Sequence, residues 1–347
     1  MRAITLEEFN KPLKIRDLPE PTPSENGVVI KVEATGMCRS DWHTWAGHES
    51  DIQLPHVPGH ELAGTIAAIG NGVRDFAVGD RVTVPFACGC GRCEFCLSGQ
   101  AQVCPTQTQP GFTYWGSFAE SVAIHNADFN LIRIPDDVSA VTAASLGCRF
   151  ATAYRGVVGR AKVQPNEWVS VIGCGGVGLS SIMIAKAFGA KVVAVDVGEE
   201  SLDRAQEVGA DFTINARTTD AVQAILDITS GGAHVSVDAL GSELTANQAI
   251  LSLRRQGRHV QIGLLPSESG RTPIALAHAL SYELDLLGSH GMAAVDYPEM
   301  LAMVERGELR PDLLVERVIG LEQAAVELPT MDQRPAVGMT IIDPALP

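Results

Sequence analysis

Cys90, Cys93, Cys96 and Cys104 form a C-x2-C-x2-C-x7-C run in a stretch of glycine and polar residues. Four thiolates on one compact loop can close a tetrahedron around zinc with no open position, the arrangement of a structural site. Iron–sulfur clusters use the same short Cys-x2-Cys spacing, and a disulfide framework is a third option. Cys88, two residues before the run, does not fit its spacing. A second set is scattered: Cys38 in Gly36-Met37-Cys38, His60 in Gly59-His60-Glu61, and Cys148 in Leu146-Gly147-Cys148-Arg149. One such Cys or His is more often packing or surface than ligand. The three together supply the protein ligands of a catalytic zinc and leave a fourth position for water or substrate.

A different chemistry is written at Gly173-Cys174-Gly175-Gly176-Val177-Gly178, a G-x-G-x-x-G between an apolar strand pattern and a helical one. Glycines there let the backbone approach a pyrophosphate, and the helix N-terminus favours its charge. Asp196 stands at the end of the next strand pattern, eighteen residues after Gly178, where a carboxylate accepts hydrogen bonds from the adenosine ribose. That selects NAD over NADP, since a 2′-phosphate would be repelled and the adjoining Val197 and Gly198 offer no arginine. The competing reading of Asp196 is a solvated carboxylate at a strand end.

These residues need two kinds of scaffold. Short runs broken by glycine at 28–32, 64–69 and 80–84 read as strands of an antiparallel, barrel-like lobe. From about residue 163 strands and helices alternate: strands at 168–172, 192–195, 212–214, 235–237 and 259–262, helices at 177–188, 201–208 and 221–228. That rhythm implies a parallel, doubly wound sheet. A helix at 298–305 belongs to a tail assigned to the first lobe. The expected organisation is a catalytic domain over 1–149, an NAD-binding domain over 150–288, and a return to the catalytic domain over 289–347. With 347 residues, two domains are the expected number.

Composition narrows the class. The formal charge of −15 argues against a nucleic-acid partner, which needs clustered Lys and Arg. No apolar run approaches the roughly 20 residues of a membrane span, and the charged residues Glu7, Glu8 and Lys11 are wrong for a signal peptide. The expectation is a cytoplasmic protein whose eight cysteines are available to metal.

Taken together the sequence resembles the zinc-containing medium-chain dehydrogenases, specifically their alcohol dehydrogenases. The likeness rests on Gly59-His60-Glu61, Gly79-Asp80-Arg81-Val82, the four-cysteine loop, Gly116-Ser117-Phe118-Ala119-Glu120, Leu146-Gly147-Cys148 and the glycine fingerprint, and it spans nearly the whole chain. It implies an α/β protein with a GroES-like antiparallel β-barrel catalytic domain and a Rossmann coenzyme domain. Each subunit would hold two Zn2+ ions, a catalytic one on Cys38, His60 and Cys148 and a structural one on the four-cysteine loop, and would bind NAD. Glu61 would lie close behind the catalytic zinc as a conditional ligand. Arg39 would contact the pyrophosphate, Thr152 the nicotinamide end, and Gly263 and Leu264 would line its pocket.

Zinc in such a site acidifies a bound alcohol, and hydride then passes from its carbon to the nicotinamide. The resemblance implies that the proton leaves by Ser40, the cofactor ribose and His43, with Asp41 orienting His60. A turn hydroxyl and a surface imidazole are the plainer readings of Ser40 and His43. Phe86 matches a substrate-pocket position, and Phe112, Trp45 and Trp115 are further candidates, although aromatic residues more often pack a core. Gly338-Met339 stands where relatives carry a pyrophosphate-binding arginine, and Arg334 is the candidate substitute. The implied partners are a small-molecule alcohol, aldehyde or ketone and other copies of this chain, as a homotetramer. Cys148 favours the alcohol dehydrogenase branch, since sorbitol-dehydrogenase-like relatives carry a glutamate there. A polyol dehydrogenase and a non-catalytic NAD-sensing zinc protein are the alternatives.

Overall fold

The computed structural model describes residues 1–49, 51–265, 271–333 and 337–347, so the candidate Arg334 lies outside the described residues. The chain divides into two compact units: Met1–Ala151 with Gly291–Pro335 and Met339–Pro347, and Thr152–His290 with Ala336–Gly338.

The first unit is built on a seven-stranded sheet. Its spine is Val28–Met37, where Val28, Ile30 and Val32 turn inward and Lys31 and Glu33 outward, the period-two pattern of a half-buried strand. Glu61–Ile69 pairs antiparallel along one side of it. The other side is shared: Ser121–Ile124 pairs with its first half and Met339–Ile342 with its second. Arg81–Thr83 and Ile132–Arg133 extend the sheet beyond Glu61–Ile69. Leu62, Ile66, Val82, Val122 and Ile124 pack with the spine residues into one core.

Two features depart from the expectation. Arg2–Thr5 and Lys14–Asp17 form a separate antiparallel pair, although three of the four residues of Lys14–Asp17 are charged. The tail brings a parallel pair, Val315–Ile319 with Met339–Ile342, into an otherwise antiparallel sheet. A parallel neighbour needs a crossover, and the helix Leu321–Glu327 lies in that connection.

The second unit is a six-stranded, all-parallel sheet in the order Phe212–Asn215, Lys191–Asp196, Trp168–Ile172, Ala233–Asp238, Leu253–Gln261, Asp285–Gly288. Its central strands are buried almost without interruption, as a sheet covered on both faces requires. The strand order reverses beside Trp168–Ile172, and the glycine fingerprint leaves the carboxyl end of that strand. A doubly wound sheet binds ligands at this switch point.

Candidate metal centres and cofactor site

Cys38 caps the end of the Val28–Met37 strand and opens the helix Arg39–Trp45. His60 immediately precedes the strand Glu61–Ile69. Cys148 lies on a π-helical turn, Leu146–Phe150, a local widening that often re-aims a functional side chain. The fold thus joins three positions far apart in sequence: ligand atoms of Cys38, His60, Cys148 and Glu61 lie within 4.8 Å of one another.

Asp41 ties two of the ligand loops together. Its Oδ2 accepts from the Cys38 N–H at 2.8 Å, and its Oδ1 lies 3.1 Å from the Gly59 N–H and 3.0 Å from His60 Nδ1. This bond turns His60 Nε2 toward the thiols, the arrangement in which a carboxylate fixes a ligating imidazole. Burial disfavours the imidazolium, but the Asp41 charge and hydrogen bond outweigh it and raise the pKa of His60. His60 Nε2 is buried with no hydrogen-bond partner among the described residues. An orphaned nitrogen facing two thiols needs a partner, and zinc fits. The Cys148 thiol hydrogen-bonds Cys38 and, against the opposing effect of burial, brings the Cys38 pKa down to about 5, toward the thiolate a metal needs.

Glu61 is held differently from a free fourth ligand. Its Oε1 accepts from the Cys148 N–H (3.0 Å), the Arg149 N–H (3.0 Å) and Arg149 Nε (3.1 Å), and its Oε2 from Arg149 Nη2 (2.5 Å). Both side chains are buried, and the Arg149 charge holds the Glu61 pKa below its ordinary value despite that burial. Arg149 escaped the sequence reading. Its signal was a lone charge next to a candidate ligand in an apolar run.

In the four-cysteine loop Cys90 Sγ and Cys96 Sγ are 4.0 Å apart, and Cys93 Sγ and Cys104 Sγ are 3.7 Å apart. A tetrahedron with Zn–S bonds of about 2.3 Å has edges of about 3.8 Å, whereas a disulfide requires about 2.05 Å. A multi-iron cluster would spread the thiolates around intervening sulfides. The separations therefore match a single ion, and all eight cysteines are free thiols. The main-chain N–H groups of Arg92 and Cys93 stabilise the Cys90 thiolate and bring its pKa to about 6. Cys88 stands apart: it is buried, bonds to the Pro85 carbonyl, and burial pushes its thiol up to about 12.

Around the three-ligand site, the ring of His60 is flanked by Phe86 at 6.1 Å and Phe112 at 5.1 Å between centroids. Trp45 is committed elsewhere, packing on the core with its Nε1 on the Lys11 carbonyl, and Trp115 is 38% exposed with its Nε1 on the Pro55 carbonyl. Ser40 Oγ lies 3.8 Å from Cys38 Sγ. His43 is half-buried, and its Nδ1 meets His48 Nδ1 at 2.9 Å. Arg39 is exposed, stacks over Trp42 at 4.3 Å and reaches the Met331 carbonyl.

In the second unit the fingerprint glycines divide their work. Gly173 has φ +93°, a left-handed conformation that favours glycine. A Cβ on Gly178 would lie 1.8 Å from the Gly173 carbonyl oxygen, so strand and helix can meet only without one. A Cβ on Gly175 would meet nothing within 4 Å, which leaves an open cradle at the N-terminus of the helix Gly176–Ala187, whose first turn holds Val177. A pyrophosphate fits that cradle. Asp196 Oδ1 accepts from the Val197 and Gly198 N–H groups and Oδ2 from the Cys174 N–H. Three of roughly four acceptor positions are thereby used and the carboxylate is fixed, with one position left for a ribose hydroxyl.

Cys174 is buried with its thiol on the Val195 carbonyl, a packing role. Thr152 Oγ1 is buried and unpartnered among the described residues. Gly263 and Leu264 follow the strand Leu253–Gln261, and the buried Asp238 braces this turn: its side chain holds the N–H groups of Leu240 and Gly241 and Gln261 Nε2, and its carbonyl accepts from the Gly263 N–H. Gly338 leads into the strand Met339–Ile342, in which Met339 is buried.

A parallel sheet with a dinucleotide turn, in one chain with thiolate-lined metal sites, defines a metal-dependent dehydrogenase. Residues 24–136 match the family model of the alcohol dehydrogenase GroES-like domain, and residues 176–306 that of the zinc-binding dehydrogenases. The chain is 35% identical to an NAD-dependent alcohol dehydrogenase of Sulfurisphaera tokodaii, over 99% of this chain and 100% of the relative. It is 39% identical to an alcohol dehydrogenase of Geobacillus stearothermophilus over 68% of this chain and 70% of that one. The crystal structure of benzyl alcohol dehydrogenase from Acinetobacter calcoaceticus superposes with a TM-score of 0.91 at 26% identity, covering 99% and 98% of the two chains. The chain belongs to the zinc-dependent medium-chain dehydrogenase family, in its alcohol dehydrogenase branch.

Proposed function

We propose that this protein is a zinc-dependent alcohol dehydrogenase that moves hydride reversibly between an alcohol and NAD. The observation that carries the reading is the three-ligand set, Cys38, His60 and Cys148, with His60 Nε2 buried and unpaired. Zinc held by Cys38, His60 and Cys148 would supply Lewis acidity at the alcohol oxygen, and bound NAD would supply the hydride acceptor. The chain's own residues do the rest. Asp41 fixes the His60 tautomer, Ser40 receives the hydroxyl proton, and His43 carries it outward. Phe86 and Phe112 wall the site against water and favour primary and aryl alcohols over polyols. The cradle over Gly175 holds the pyrophosphate, and Asp196 selects NAD. Thr152, Gly263 and Leu264 meet the nicotinamide end. The first unit serves as catalytic domain and the second as coenzyme domain.

NADH absorbance followed over primary, secondary, aryl and polyol substrates, with NADP in parallel, tests this. Turnover of primary or aryl alcohols is expected, with NAD preferred over NADP by at least about tenfold, the equivalent of 1.4 kcal/mol. Use of polyols alone would make it a sugar-alcohol enzyme, and no turnover by zinc-replete protein would make it a sensor.

The protein functions in the cytoplasm as a homotetramer. Reduced thiols at both metal sites suit a reducing compartment. Asp285–Gly288 ends the parallel sheet as an edge strand, and Leu276 and Leu280 on the preceding helix are 62% and 81% exposed. An edge with exposed leucines favours pairing with another copy. Light scattering should give four times the chain mass of 36.8 kDa; a monomer would overturn the assignment.

A further inference from the structure

His48 lies outside every motif in the sequence, yet the fold places it against His43. The helix Arg39–Trp45 closes at Ala46, and Gly47 follows with φ +76°, a conformation L side chains rarely adopt. A Cβ there would also press on Phe9 at 3.1 Å. This turn folds the chain back so that the His48 N–H donates to the His43 carbonyl at 3.0 Å, and the two Nδ1 atoms meet at 2.9 Å. The rings are 5.2 Å apart, and each meets the Trp42 ring edge-on, at 5.1 Å for His43 and 5.5 Å for His48. His43 is half-buried and His48 exposed.

Two imidazole Nδ1 atoms at that distance are joined by one proton, one ring donating and the other accepting. Burial weakens the hold of His43 on a second proton, and the charges of His48 and Arg39 weaken it further. Arg39 shares the helix. The turn packed on the helix end through Asn10 lies between Glu8 and Lys11 in sequence, and the packed turn Leu328–Thr330 carries no titratable group, with Asp332 beyond it. Among the described residues the charges that act on His43 are those of His48 and Arg39, and both disfavour storing a second proton there.

We propose that His48 is the solvent-side terminus of the proton exit, acting through His43. His43 takes a proton on Nε2 and passes its Nδ1 proton to His48 Nδ1. His48 then releases its own Nε2 proton to water or buffer, so one proton enters the pair and one leaves. The proposal rests on the reading of His43 as the way out of the site.

The test compares His48→Gln and His43→Gln in the zinc-loaded tetramer, measuring the burst of proton release into an indicator dye on mixing with NAD and alcohol. Each variant is run at low buffer with and without added imidazole, and NAD binding is measured separately. The expected result for His48→Gln is a burst slowed about threefold to tenfold at low buffer, below the roughly hundredfold of a direct proton-transfer group. Imidazole should restore it, and NAD affinity should be unchanged. Nitrogen NMR of labelled histidine should show the His43 tautomer mixture shifted in the same variant. A slowed His43→Gln with an unchanged His48→Gln, or a slow His48→Gln that imidazole does not restore, overturns the role of His48. An unchanged His43→Gln overturns the exit through His43 itself.

Discussion

Cys148→Ala is expected to hold one zinc equivalent per chain where the unaltered protein holds two, and to lose alcohol-dependent NAD reduction by at least about a thousandfold, roughly 4 kcal/mol of barrier. The substitution leaves Cys38 and His60 as a two-ligand remnant, while Cys90, Cys93, Cys96 and Cys104 form a separate group. Elemental analysis and NADH absorbance on one preparation separate the two consequences. The retained zinc reports that the loop is still folded. Two zinc equivalents, or undiminished turnover, would contradict the ligand assignment.

Arg149→Met is expected to destabilise the zinc-loaded protein by about 3–5 kcal/mol, the usual cost of leaving one half of a buried ion pair. Glu61 is fully buried, and the guanidinium supplies two of its four hydrogen bonds. The other two come from the main-chain N–H groups of Cys148 and Arg149, which a neutral amide oxygen can still accept. Adding Glu61→Gln to the variant should therefore recover most of the loss. Denaturant unfolding of the wild type, the single variants and the pair forms a double-mutant cycle. A loss below about 1 kcal/mol for Arg149→Met would show that the pair carries little of the site's stability. The pair also bears on Glu61 as a metal ligand: to coordinate zinc it would have to leave a buried guanidinium uncompensated, so Arg149 works against that exchange.

The site was more legible in the sequence than the scaffold around it. Ligand types and short spacings are local, so the four-cysteine loop and the fingerprint could be read directly, and period and glycine placement identified the parallel sheet. Lys14–Asp17 escaped because three of its four residues are charged, which left Arg2–Thr5 without a readable partner, and the parallel pair of the tail because a single pair lacks the repeated strand–helix rhythm that marks a parallel sheet. Arg149 and His48 were hidden for another reason. Their roles depend on a π-helical turn and on a left-handed glycine, which aim side chains in directions that a regular helix would not. Trp45 illustrates the converse, since aromatic character suggested a pocket while its ring packs on the core and its indole N–H is bound to the Lys11 carbonyl.

The most direct measurement is NAD reduction by a primary or aryl alcohol as the more labile zinc equivalent is withdrawn with a chelator and then restored. The three-ligand site, with its open fourth position, should release zinc before the closed four-thiolate site. Activity is predicted to fall in proportion to that first equivalent and to return when zinc is added back. Alcohol-dependent NADH formation that survives removal of both equivalents would contradict a zinc-dependent mechanism.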